Sequence, residues 1–177
     1  MDQASHHSCI SGLEDPEKVH IRVPRLEDGA AMWKLVKQSR LLEQNTCYAY
    51  LLLCRHFADT CLIAEDAGRA IGFVAAYRPP VEPDVIFVWQ IGVLLEARGR
   101  GLASTLLEHL VATPACANVN YLEATVAPSN TASQRLFAGF ARRRSVPCAR
   151  MPGFSKELFV GGEHEDEELF RIGPLQS

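Results

Sequence analysis

The hydrophobic rhythm of the chain changes several times along its length. Val19-His20-Ile21-Arg22-Val23 alternates apolar and polar positions, the period of a strand with one buried face, and Pro24 ends it. From Asp28, a candidate cap, the spacing turns helical, with Ala31, Met32 and Leu35 on one side to about Ser39. Leu41 to Thr46 breaks the pattern. A second helix is expected from about Tyr48 to Phe57, with Leu51, Leu52 and Cys54 as its apolar positions. Thr60–Glu65 and Ala70–Tyr77 read as strands joined by the turn signal Asp66-Ala67-Gly68-Arg69, hence a hairpin. After a proline-marked loop (Pro79, Pro80, Pro83), the run Val85–Val93 is an apolar strand. A helix from Gly101 to about Ala112 carries the stripe Leu102, Leu106, Leu107, Leu110. Then come a strand over Val119–Val126, a helix capped by Ser129 or Asn130 to about Phe140, a short strand over Val146–Met151, an acidic loop over Glu157–Glu168, and a last strand over Glu168–Ile172.

The resulting order, βααβββαβαββ, is an α/β arrangement of mixed type. It predicts a mostly antiparallel sheet with a few parallel neighbours and helices on both faces. A chain of 177 residues suits one domain, expected over 19–177, after a polar tail of 1–18 with little periodicity. Hydrophobic and charged fractions of 47% and 22% are those of an ordinary soluble protein. A net charge of −3 gives no general basic footprint for nucleic acid, and the longest apolar runs are too short to span a bilayer. No charged segment followed by an apolar run opens the chain, so a secretory signal is not expected and the cytoplasm is. The six cysteines form no C-x-x-C pair; no metal site is expected, and the thiols fit small buried hydrophobes in a reducing compartment.

One stretch carries candidate chemistry. The strand Val85–Val93 runs into Arg98-Gly99-Arg100-Gly101-Leu102-Ala103 and then a helix. Such a turn aims several backbone N–H groups at one point, and the new helix adds the positive end of its dipole. Gly99 and Gly101 permit positive φ and close approach of a ligand, and Arg98 and Arg100 add charge. The result is an anion site, most naturally for a phosphate.

The run Arg98-x-x-Gly101-x-Ala103 after a strand resembles the acetyl-CoA motif of the GCN5-related N-acetyltransferases (GNAT). Asn130-x-x-Ser133-x-x-Leu136-Phe137 is similar to that family's next motif. The resemblance implies the GNAT fold with a splayed fourth and fifth strand pair, and acetyl-CoA as co-substrate. It gives the pyrophosphate to the Arg98–Ala103 loop and the pantetheine arm to backbone groups of Ile91, Gly92 and Val93. Asn130, Ser133 and Phe137 would lie along the coenzyme. Longer matches resemble one branch of the family, the diaminobutyrate acetyltransferases: Asn45–Cys54, Phe87–Ile91, Tyr121–Thr125 and Gly162–Glu167. They imply acetyl transfer to the γ-amine of L-2,4-diaminobutyrate on the route to ectoine, by direct attack in a ternary complex. The partner would be a small-molecule amine, with neither nucleic acid nor membrane, and a homodimer is expected. Another cationic amine, or a non-catalytic acyl-CoA sensor, is the alternative. Two departures stand out: Phe137 replaces a tyrosine that can protonate the leaving thiolate, and Glu43 stands where an aspartate is expected.

A dicationic amine with a carboxylate needs acidic groups and one donor, and only the free amine attacks a thioester. Glu123, in a strand beside the proposed coenzyme strand, is costly to bury unpaired, so it is the candidate amine binder or base, directly or through water. Thr125 shares its face by alternation, or is there for β-propensity alone. Trp89 can present an aromatic face to a cation or carbon chain, or sit in the core. His164 can bind the carboxylate or shuttle a proton, or lie at the surface. Glu43, Asn45 and Tyr48 complete the candidate acceptor set. Arg142-Arg143-Arg144 can steer an anion, or cap and solubilise a helix end.

Overall fold

The computed structural model describes residues 19–39, 42, 44–161 and 164–175. Its elements follow the expected order: β1 (His20–Arg22), α1 (Asp28–Ser39), α2 (Cys47–His56), β2 (Cys61–Asp66), β3 (Arg69–Tyr77), β4 (Val85–Val93), α3 (Leu102–Val111), β5 (Tyr121–Val126), α4 (Thr131–Arg144), β6 (Cys148–Phe154) and β7 (Glu167–Ile172). The strands form one sheet ordered β1-β2-β3-β4-β5-β7-β6. The expected few parallel neighbours reduce to a single pair, β4–β5. The α1–α2 pair joins the antiparallel neighbours β1 and β2, α3 crosses between the parallel neighbours β4 and β5, and α4 carries the chain past an open position that β7 then fills from the other direction.

The helices lie on both faces, as expected. A side chain added at Gly92 would meet Leu35 of α1, and one added at Gly72 would meet Leu102 of α3. Phe73 pairs with Gly92 and precedes Val74, so successive β3 residues face α1 and α3 in turn. The α1–α2 layer buries Met32, Leu35, Val36, Tyr50, Leu53 and Cys54. On the other face Leu106, Leu107, Leu110, Phe140, Phe170 and Ile172 are buried, each large side chain contributing about 2 kcal/mol.

Four local expectations need correction. Helix α2 buries Tyr50, Leu53 and Cys54, whereas Leu52 is 36% exposed, because a tyrosine with a partner for its hydroxyl takes the inward position. Helix α4 runs one turn beyond Phe140 to Arg144 and stops where Ser145 adopts φ 56°, its amide bonded to the Ala141 and Arg142 carbonyls. Serine there does the work usually left to glycine, so no stop signal is written in the sequence. Strand β6 starts two residues later than Val146 and runs to Phe154; at the sheet edge Pro152 is tolerated, and the register slips between Pro152 and Phe154. Asp28 lies within the first turn of α1, and its carboxylate reaches backwards, accepting the Arg25 amide at 2.6 Å and Arg22 at 2.6 and 3.0 Å.

Arg22 also donates to Glu65 at 2.5 and 3.0 Å, so one guanidinium ties β1, α1 and β2 together. Cys47, Cys54, Cys61, Cys116 and Cys148 are free thiols, and burial pushes Cys54 up to about 11 and Cys61 up to about 12. Both are neutral packing groups at physiological pH.

Replacing Arg22 by Met leaves Asp28 and Glu65 facing each other in a half-buried position. A loss of about 2–3 kcal/mol is expected in urea denaturation at pH 7. Arg22 holds the Asp28 carboxyl below the usual carboxylate range, so this contribution is present above about pH 4 and fades as pH falls further. The gap between wild type and Arg22→Met should therefore narrow in acid; a constant gap would show that the ion pair does not carry the effect.

Candidate active site

Strands β4 and β5 pair only through Val85–Tyr121, Ile86–Leu122 and Phe87–Glu123, although β4 continues to Val93 and β5 to Val126. Beyond Phe87 the two part, and β4 keeps only its β3 neighbour. The local cause is a bulge: Ala75 pairs with Gln90 and Ala76 with Val88, leaving Trp89 without an opposite residue. A bulge bends its strand and sharpens the twist. It also breaks the alternation, so consecutive residues Trp89 and Gln90 both reach Tyr50 of α2. The Tyr50 ring lies 6.0 Å from Trp89, and its hydroxyl donates to Gln90 Oε1 at 2.7 Å. Two residues on, Gly92 brings the backbone against the α1 layer: a Cβ there would come within 2.7 Å of Leu42 and 3.0 Å of Phe73.

At the end of β4 a short turn, Leu95–Ala97, leads into Arg98–Gly101. Gly99 and Gly101 have φ of 76° and 77°, and a Cβ on either would meet nothing within 4 Å. Space is open above the loop, and a side chain is disfavoured there by about 1–2 kcal/mol of backbone strain. Gly101 stands at the N-cap of α3 without a side-chain cap, so the first-turn amides of Leu102 and Ala103 point out of the helix end. Leu102 itself is buried; what it offers a ligand is its amide. Arg98 Nε donates to the Val93 carbonyl at 3.1 Å, folding the loop onto the strand end, and Arg100 is exposed. Of the coenzyme-strand residues, Ile91, Gly92 and Val93 pair with Val74, Phe73 and Gly72 on the β3 side. A helix N-terminus, two positive-φ glycines and two arginines fit a pyrophosphate.

Across the wedge, Glu123 is 4% exposed. Its register partner on β7 is Arg171, whose Nη1 donates to Glu123 Oε1 at 2.6 Å. The same nitrogen reaches Glu82 of the β3–β4 loop at 3.4 Å, and the guanidinium lies 4.2 Å over the Tyr121 ring. Burial pushes the Glu123 carboxyl up; Arg171 pulls it back, and the charges of Glu82 and Asp84 push it up again, leaving a net rise. Thr125, two residues along the same face, is half-buried opposite Leu169. Arg171 escaped the sequence reading. Its alternation with Phe170 and Ile172 was visible, but its pairing with Glu123 depends on a register between strands 48 residues apart.

The other candidates are spread over several elements. Asn45 accepts the Trp33 indole N–H on its carbonyl at 3.1 Å, which fixes the approach to α2, and Tyr48 is 66% exposed in the first turn. Glu43 lies outside the described residues, as do Gly162 and Glu163. Asn130 caps α4, its Oδ1 accepting the Ser133 amide at 3.1 Å, so these two form one capping unit. Phe137 is buried with its ring 6.2 Å from Phe170. His164 stacks on Phe159 with ring centres 4.1 Å apart, and its neighbour Glu165 accepts the Ser129 amide at 3.0 Å, tying that loop to the β5–α4 turn. Arg144 reaches Glu108 at 3.0 Å and Arg143 reaches Ser104, so the arginine run bridges α4 to α3. The structure thus gathers Tyr50, Trp89, Gln90, Glu123 and Thr125 on the α1–α2 side of one wedge, with the glycine loop at the end of β4.

A cavity of about 320 Å³ beside α3, lined by Val19, Ile21, Ile71, Arg100, Leu102 and His109 among others, reaches the glycine loop but includes neither Trp89 nor Glu123. Among the described residues no cluster of three or more His, Cys, Asp or Glu could hold a metal ion, and no helix is long and apolar enough to cross a membrane.

Comparison with known proteins agrees with this geometry. The model of the Acetyltransferase (GNAT) family matches residues 30–140. An L-2,4-diaminobutyric acid acetyltransferase from Halalkalibacterium halodurans is 52% identical over 157 residues, covering 89% of this chain and 82% of the relative. Another from Bordetella parapertussis is 48% identical, covering 98% and 96%. Among solved structures, the diaminobutyrate acetyltransferase EctA from Paenibacillus lautus, in complex with L-2,4-diaminobutyric acid and coenzyme A, superposes with a TM-score of 0.87 at 42% identity, covering 90% of this chain and 97% of that one. A wedge between β4 and β5, a glycine nest at the head of α3, and likeness along nearly the whole chain converge: the protein belongs to the GNAT acetyltransferase family, within its L-2,4-diaminobutyric acid acetyltransferase branch.

Proposed function

We propose that this chain transfers the acetyl group of acetyl-CoA to the γ-amine of L-2,4-diaminobutyrate, giving N-γ-acetyl-L-2,4-diaminobutyrate by direct attack in a ternary complex. The observation that carries the proposal is the wedge itself, with an anion nest at one end and a buried carboxylate across it. Arg98, Gly99, Arg100, Gly101, Leu102 and Ala103 hold the pyrophosphate. Ile91, Gly92 and Val93 meet the pantetheine and offer amides to the developing oxyanion. Asn130 and Ser133 shape the next turn beside the coenzyme. Phe137 has no proton to give, so the departing thiolate is protonated by another group or by water.

The acceptor brings two ammonium groups. Two carboxylates, Glu82 and Glu123, share one guanidinium, Arg171, and the charge of Asp84 also reaches Glu123, a local excess of negative charge that suits it. Glu123, with its proton affinity raised, binds the amine or takes its proton, directly or through water. Trp89 and Thr125 line the same face, and Asn45, Tyr48 and His164 are further acceptor contacts in this reading, with Glu43 carried over from the resemblance alone. A second acceptor class, another cationic amine such as a polyamine, an aminoglycoside or a protein amine, is favoured by the same acidic surround.

We further propose that residues 19–177 act as one catalytic domain in the cytoplasm, on the route to ectoine and so in osmoadaptation. A homodimer is supported by the edge strand β6, which with the turn after it exposes Met151, Phe154, Leu158 and Val160. Light scattering should then give twice the 19.6 kDa chain mass; a monomer at micromolar concentration would refute the dimer.

Incubation with acetyl-CoA and diaminobutyrate, followed by NMR location of the acetyl group, is expected to show the γ-N-acetyl product. Its absence over a broad range of pH and salt, or a better rate on spermidine, would sink the proposed acceptor. Two substitutions separate the ends of the wedge. Gly101→Val places a β-branched side chain at φ 77° in the nest and should weaken acetyl-CoA binding by about tenfold or more. Glu123→Gln should lower turnover by about 100-fold or more while acetyl-CoA affinity stays near wild type. Unchanged kinetics in either variant would remove that residue from its role.

A further inference from the structure

Glu123 cannot act alone. A carboxylate with 6% of its side chain exposed, on an interior strand, drifts toward the neutral acid, and a neutral acid neither attracts an ammonium nor accepts its proton. The structure supplies the remedy on the neighbouring strand. Arg171 stands directly opposite Glu123 in the β5–β7 ladder and bonds Oε1 at 2.6 Å. Its guanidinium rests on the Tyr121 ring at 4.2 Å, and Glu82 approaches the same Nη1 at 3.4 Å.

We propose that Arg171 is a positioning residue of the acceptor site: it holds the Glu123 carboxylate charged and fixed through Oε1, leaving Oε2 to the acceptor amine, with Glu82 setting how strongly Arg171 pulls. The proposal rests on the role given above to Glu123, and names the device that makes it usable. The charged groups facing Glu123 are Arg171 from β7 and Glu82 and Asp84 from the β3–β4 loop. Their effects oppose each other: Arg171 lowers the proton affinity of Glu123, whereas Glu82 and Asp84 raise it. The ion pair is therefore a tuning contact. Tyr121 seats the guanidinium, which costs little entropy to hold in place.

Opposite charges on the two partners give the test its sign. In the full-length protein with ¹³C-labelled glutamate, Glu123 is assigned by its loss in Glu123→Gln, and its carboxyl is titrated by NMR. Arg171→Met is expected to move the titration to higher pH, and Glu82→Gln to lower pH. The acid limb of kcat/KM for the amine should move the same two ways. At neutral pH Arg171→Met should lose about tenfold or more in kcat/KM for the amine, with the KM for acetyl-CoA within about twofold of wild type, and Arg171→Lys should recover part of the loss. A titration that stays put in both variants while the melting temperature falls would reduce Arg171 to a structural pair and overturn the proposal. Shifts in the same direction would overturn it too. Glu82 is half-exposed in a loop, so Glu82→Gln keeps the test alive if Arg171→Met fails to fold. If wild type proves to prefer another amine, the proposed acceptor fails, while the titration still decides the role of Arg171.

Discussion

The structure turns on how briefly β4 and β5 hold together. Among the described residues they are the only parallel neighbours, and the ladder ends after Phe87–Glu123. A sheet that stayed closed here would bury every backbone group of β4 between two neighbours and leave no room for a ligand. The bulge at Trp89 bends the strand where pairing stops, and Tyr50 from α2 stabilises the distortion with a hydrogen bond to Gln90 and ring contacts to Trp89 and Phe73. The opening is thus held from the α1–α2 side. The glycine nest depends on the same geometry, since the loop starts where β4 leaves the sheet and is folded back by Arg98 onto Val93.

Electrostatics divides the wedge in two. The head of α3 is positive through its dipole and two arginines, and suits phosphate. The β5–β7 side is negative in balance, with a buried carboxylate held against its own desolvation by one guanidinium. Such a division suits an anionic donor at one end and a cationic acceptor at the other. The rest of the molecule serves this arrangement. Arg22 fastens β1, α1 and β2, Arg143 and Arg144 bridge α4 to α3, and the two apolar layers clamp the sheet from both sides.

Much of this was legible in the chain. Strand β4 ended at Val93 as the apolar run does, α1 ended at Ser39 as expected, and the element order held throughout. Patterns of period two and 3.6 are local, and so is the glycine-arginine turn. The misreadings were also physical. Ser145 stopped α4 without a glycine, Tyr50 turned inward because Gln90 met its hydroxyl, and Pro152 entered a strand because that strand lies at an edge.

By itself, the sequence determined the succession of elements, the nest at Arg98–Ala103 and the family. Each depends on residues adjacent in the chain, or on many matches added together. Tertiary structure alone decided which side chains share the site. Trp89 and Gln90 reach the same tyrosine only because of a bulge, since regular alternation puts successive residues of a strand on opposite faces. Arg171 meets Glu123 only through the register of β7 on β5, and Phe137 is committed to Phe170 by the packing of α4. Register and packing sum contacts over the whole fold, and no short stretch of sequence contains them.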